Sequence, residues 1–120
     1  MDTREKIVAL RDLAGRLGEG KWLAVVGRFD PLTAAQARRL AELSGQGRLI
    51  LAVVEEAEGS LLPVEARTEL VAALRSVQLV VRGNAEALKA YPEIEVVEDD
   101  EGERRRSAEF VEFVRRRQGV

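Results

Sequence analysis

The sequence predicts an α/β domain: a Rossmann-like three-layer α/β/α sandwich around a mostly parallel sheet of four to five strands. Three observations carry that expectation. Short apolar runs recur along the chain, at Trp22 to Val26, Leu49 to Val54, Leu79 to Val81 and Ile94 to Val97. Stretches with helical apolar spacing lie between them, and regular strand–helix alternation implies parallel pairing through crossovers. The first two runs also lack polar alternation, which suits parallel strands covered on both faces. A length of 120 residues fits one domain, spanning 1–120, that buries roughly two-thirds of its unfolded surface.

Asp2 or Thr3 can cap a first helix, with Glu5 three residues after Asp2 in capping-box spacing. Ile7, Leu10, Leu13, Ala14 and Leu17 form one stripe along it, and Gly18 stops it. The first strand leads into a loop with Pro31, then a second helix from Thr33 to Ser44 that should bury Ala37, Leu40, Ala41 and Leu43. Gly45-Gln46-Gly47 turns the chain into the second strand. The acidic loop Glu55 to Gly59 precedes Pro63, well placed for the first turn of a third helix. That helix is expected to reach Arg75 and to bury Val64, Val71 and Leu74, with Leu70 beside them. Gly83-Asn84 closes the third strand, and Ala85 to Ala90 allow only a short helix before Tyr91-Pro92. After the fourth strand and the acidic stretch Glu98 to Glu101, Ser107 caps a final helix that should bury Phe110, Val111, Phe113 and Val114. Arg115 to Arg117 sit in its last turn, where positive charge suits the helix dipole. The strand order after residue 82 stays open.

Composition narrows the chemistry. The chain is 46% hydrophobic and 33% charged, as in ordinary soluble domains. No apolar run approaches the ~20 residues of a bilayer span, and the first residues lack the pattern of a secretory leader. With no cysteine there is neither a disulfide framework nor a thiolate metal site, and a cytoplasmic setting is the default expectation. A net charge of −2 gives no electrostatic reason to expect nucleic acid. The absence of histidine removes the commonest transition-metal ligand and the side chain that titrates near neutral pH. Arginine dominates the 19 basic residues, with lysine only at 6, 21 and 89. No metal site and no catalytic residue can be assigned.

The segment most suggestive of a site is Val26-Gly27-Arg28-Phe29-Asp30-Pro31-Leu32-Thr33-Ala34-Ala35-Gln36. It follows the first strand, and ligands of open α/β sheets bind beyond the carboxyl ends of strands. It resembles the G-x-F-D-x-x-[HT]-x-G-H signature of the cytidylyltransferase-like nucleotidyltransferase superfamily. Gly27, Phe29 and Asp30 match, and Thr33 falls on the first H/T position. Ala35 stands in place of the glycine that lets nucleotide approach the backbone, and Gln36 in place of the second histidine, which in the family contacts the triphosphate. Glutamine donates hydrogen bonds but cannot become cationic. Losing such a group costs on the order of 10²–10⁴ in rate. Thr33-x-x-Gln36 is also a capping box, a role that needs no ligand, and the residues alone leave both readings open.

The resemblance extends over roughly residues 5 to 82 and is greatest to the nucleotidyltransferase domain of bifunctional ADP-heptose synthases. Lys6-Ile7-Val8, Leu10 to Leu17 and Gly20-Lys21 are similar to the entry into that domain. Pro63 to Val77 is similar to its P-x-E-x-R-x-x-x-L-x-A-L-x-x-V helix, with Arg67 on the arginine and Val71 in place of the leucine. Two further regions depart from the family. The loop Glu55 to Gly59 has no lysine for phosphate, and Ser107-Ala108-Glu109 replaces the late S-T-T motif, keeping the capping serine. Arg104, Arg105 and Arg106 remain as candidate anion contacts, or else as a solvated run balancing Glu98 to Glu103.

The resemblance thus implies nucleotide-binding residues at Gly27, Phe29, Asp30, Thr33, Gln36, Arg67, Arg104, Arg105 and Ser107. For an active member it implies transfer from ATP or CTP, with Mg²⁺, to a sugar phosphate and release of pyrophosphate. The loss of phosphate-binding groups in three regions points instead to an impaired relative, retained as a nucleotide-binding or interaction module. Its expected partners are a nucleotide or sugar phosphate, a second copy in a homodimer, or a partner enzyme, with neither nucleic acid nor membrane.

Overall fold

The structure, a computed structural model, describes residues 3–98. Arg104, Arg105, Ser107 and the expected final helix lie outside the described residues. Four strands form one all-parallel sheet: β1 (Trp22–Gly27), β2 (Leu49–Val54), β3 (Leu79–Arg82) and β4 (Glu95–Glu98), in the order β3-β2-β1-β4. β1 pairs with β2 from Trp22↔Leu49 to Gly27↔Val54, and with β4 from Leu23↔Glu95 to Val26↔Glu98. The chain steps outward from β1 through β2 to β3, then returns to the other side of β1. The topological switch point of this doubly wound sheet therefore falls between β1 and β4.

Three α-helices accompany the strands: α1 (Leu13–Leu17), α2 (Ala34–Ser44) and α3 (Val64–Ala72). Strand periodicity of two sends alternate residues to opposite faces. On one face Ala24, Val26, Leu51 and Val53 pack with Leu13 and Leu17 of α1. On the other, Leu23, Val25, Ile50 and Ala52 pack with Leu40 of α2 and Val71 of α3. β1 is buried along its whole length, as an apolar strand between two layers must be.

Several local expectations change. The expected first helix is broken into a 3-10 turn at Thr3–Lys6, an extended passage, a second 3-10 turn at Leu10–Asp12 and α1. Ile7 bridges Val80, and the Val8 amide donates to the Val80 carbonyl at 2.9 Å, so this passage covers the outer edge of β3. Ile7 packs on the α2–α3 face, whereas Leu13 and Leu17 pack on the opposite one. A single helix could not serve both faces, and Ala14 is left exposed. Trp22 Nε1 donates to the Leu17 carbonyl at 2.7 Å and ties the end of α1 to β1.

α3 ends at Ala72 rather than Arg75, and Pro63 is its N-cap in an extended conformation rather than a helical residue. Val64 and Leu74 are half-buried, and Leu70 is 46% exposed. Within α2, Leu40 is buried and Ala41 exposed. Ala85–Ala90 forms a 3-10 helix whose Asn84 cap accepts the Ala87 amide at 3.0 Å. Buried Ile94 precedes β4, which Arg48 braces through its ion pair with Glu95.

Candidate functional site

β1 delivers the chain to the switch point at Gly27, and Glu55 of the loop after β2 donates its amide to the Gly27 carbonyl at 2.9 Å. Arg28 follows with an exposed side chain. Phe29 then takes a left-handed conformation, φ 51°. Such a conformation costs a non-glycine residue roughly 1–2 kcal/mol. The side chain is 1% exposed in the core under α2 and α3, and burying a phenylalanine contributes about 1.5–3 kcal/mol. Burial offsets the strain, so the turn directs an aromatic ring inward and the next residue outward.

That next residue, Asp30, is joined to Pro31 by a cis peptide bond. Its carboxylate reaches across to the approach to α3, where Oδ2 accepts the Leu61 amide at 2.6 Å and Oδ1 the Leu62 amide at 2.8 Å. Charge-assisted bonds of this kind are roughly twice as strong as neutral ones. Both oxygens thus have a partner within the chain.

Thr33 and Gln36 form a reciprocal capping box at the start of α2. Thr33 Oγ1 accepts the Gln36 amide at 3.1 Å, and Gln36 Oε1 accepts the Thr33 amide at 3.0 Å. Gln36 is 3% exposed, while Thr33 and Ala35 are exposed. Two of the amides that a helix start offers to an anion are therefore bonded inside the protein.

Arg67 lies in α3, 2% exposed, and its guanidinium grips three main-chain carbonyls. Nη1 donates to Arg28 at 2.8 Å and to Glu55 at 2.6 Å, while Nε donates to Leu62 at 3.1 Å. No carboxylate pairs with it among the described residues. The planar fork of arginine suits this task, because a buried cation needs hydrogen bonds in fixed directions.

Gly27, Phe29, Asp30, Thr33 and Gln36 are thus gathered in one loop and helix start, with Arg67 brought alongside through the Arg28 carbonyl. Sequence reasoning missed the participation of Glu55, Leu61 and Leu62, which act through main-chain groups and leave no residue-type signal. It also passed over Arg28, whose exposed side chain lies at the carboxyl end of β1.

Two clefts flank this arrangement. One, of about 630 Å³, is lined by residues 56–64 and Arg67. The other, of about 340 Å³, lies at the carboxyl ends of β2 and β3 and is lined by Glu55, Glu56, Arg82, Gly83 and Asn84. Glu56 borders both, a charge that disfavours phosphate. Among the described residues no group of three or more histidine, cysteine, aspartate or glutamate side chains is placed to hold a metal ion. Nor is any helix among them long and apolar enough to cross a membrane.

The fold and site define a doubly wound α/β domain with a short, internally bonded loop at its switch point. No protein-family model matches the chain, and no curated protein matches it in sequence.

Proposed function

We propose that the chain is a degenerate, catalytically impaired nucleotidyltransferase-like domain that serves as a nucleotide-binding or interaction module in the cytoplasm. The observation that carries this reading is the Thr33–Gln36 capping box. At the loop position where the resembled family approaches the triphosphate, the Thr33 amide donates to the glutamine oxygen and the Gln36 amide to the threonine hydroxyl. Further support comes from Asp30 and Arg67, both of which are held by main-chain partners. The location of the loop at the switch point is what keeps nucleotide, rather than an unrelated ligand, in view. A homodimer, or a complex with an active enzyme, is the expected setting for the interaction role.

Calorimetric titration with ATP and CTP, with and without Mg²⁺, tests the proposal. The expected outcome is weak or Mg²⁺-independent binding and no pyrophosphate on adding a sugar phosphate. Tight Mg²⁺-dependent binding with pyrophosphate release would overturn it in favour of an active transferase. The double change Ala35→Gly and Gln36→His restores the signature residues. Tighter binding by that variant would place the impairment in this loop, and no gain would place it elsewhere in the pocket.

A further inference from the structure

We propose that Asp30 and Arg67 form a single cooperative latch that fixes the loop after β1 in its final shape before any ligand arrives. The two residues come from different elements and bear opposite charges, yet neither has an ion-pair partner among the described residues. Each spends its charge on main-chain groups of the facing loop. Asp30, in the loop after β1, holds the amides of Leu61 and Leu62. Arg67, in α3, holds the carbonyls of Arg28 and Glu55. The two sets meet at Leu62, whose amide goes to Asp30 at 2.8 Å and whose carbonyl goes to Arg67 at 3.1 Å.

This sharing makes the latch cooperative. Releasing Asp30 frees the segment whose Leu62 carbonyl helps to orient the guanidinium. Releasing Arg67 frees the Arg28 carbonyl, two residues before Asp30, and so loosens the carboxylate. Groups within one hydrogen-bond network couple in this way, whereas independent sites add. A functional consequence follows: the two charged residues matching the family pattern are positioning residues, and a ligand at the end of β1 meets a preformed wall. The latch does not depend on nucleotide binding, so failure of the proposed function leaves it standing.

Amide hydrogen exchange on the full chain, resolved residue by residue, tests the latch. Arg67→Lys keeps the charge but cannot hold three carbonyls in one plane. It should speed exchange at the Leu61 and Leu62 amides by about tenfold or more, although Arg67 touches neither amide. Asp30→Asn should do the same, and the double variant should add little to the larger single effect. Unchanged exchange at those amides in Arg67→Lys, or single effects that multiply, would overturn the proposal. Should a variant not fold, the unaltered protein decides: the Leu61 and Leu62 amides and the Arg67 Nε–H should share one opening rate and one denaturant dependence. Separate openings would refute the latch.

Discussion

Thr33 and Gln36 each accept the other's backbone amide, at 3.1 and 3.0 Å, and so close the first turn of α2 from within. The arrangement gives a surface loop at the switch point a local source of stability that needs no bound ligand.

Thr33→Ala removes one of these bonds and should cost about 1 kcal/mol, whereas Thr33→Ser keeps the hydroxyl and should stay within about 0.5 kcal/mol of the parent. Gln36→Ala should also destabilise by about 1 kcal/mol. The double variant should lose less than the sum, because each bond holds the other's donor in position. Urea midpoints at constant m-value measure all of these changes.

Two glycines, one inside α1 and one at its end, should respond oppositely to the same change. Gly15 is interior to α1 with open space where a methyl group would sit, so Gly15→Ala should stabilise by about 0.5–1 kcal/mol. Gly18 caps that helix at φ +57° and ψ −163°, a region essentially reserved for glycine, also with nothing nearby, so Gly18→Ala should destabilise by about 1–3 kcal/mol through backbone strain alone. Thermal unfolding of the two variants compares them directly.

Phe29→Ala should cost about 3–5 kcal/mol, the range for truncating a buried aromatic. The same change leaves position 29 with the left-handed backbone and nothing to offset it. Phe29→Leu, which keeps most of the burial, should lose less than half as much. If the alanine variant proved as stable as the parent, the ring would not be what holds this turn. Equilibrium denaturation together with the exchange pattern of residues 28–32 distinguishes the outcomes.

Much of the fold was legible in the sequence because its signals are local. Apolar runs placed all four strands to within a residue, and Thr33-x-x-Gln36 announced its capping box because both partners lie within one helical turn. The N-terminal stretch misled for a physical reason. Ile7, Leu10, Leu13 and Leu17 have helical spacing, but periodicity cannot tell that Ile7 packs on one face of the sheet and Leu13 on the other. α3 likewise stopped short, because Leu74 reaches the core from a turn in which its amide bonds to the Val71 carbonyl.

The site divides along the same line. By itself the sequence determined the order of the four strands along the chain, the helices between the first three of them, the loop after β1 and the helix cap at its end, since each depends on neighbours a few residues apart. Only the tertiary structure decided what Asp30 and Arg67 do. Their partners are amides and carbonyls of residues 28, 55, 61 and 62, brought together by parallel strands that are distant in sequence. Every residue type carries those main-chain groups, so no pattern of side chains could have named them.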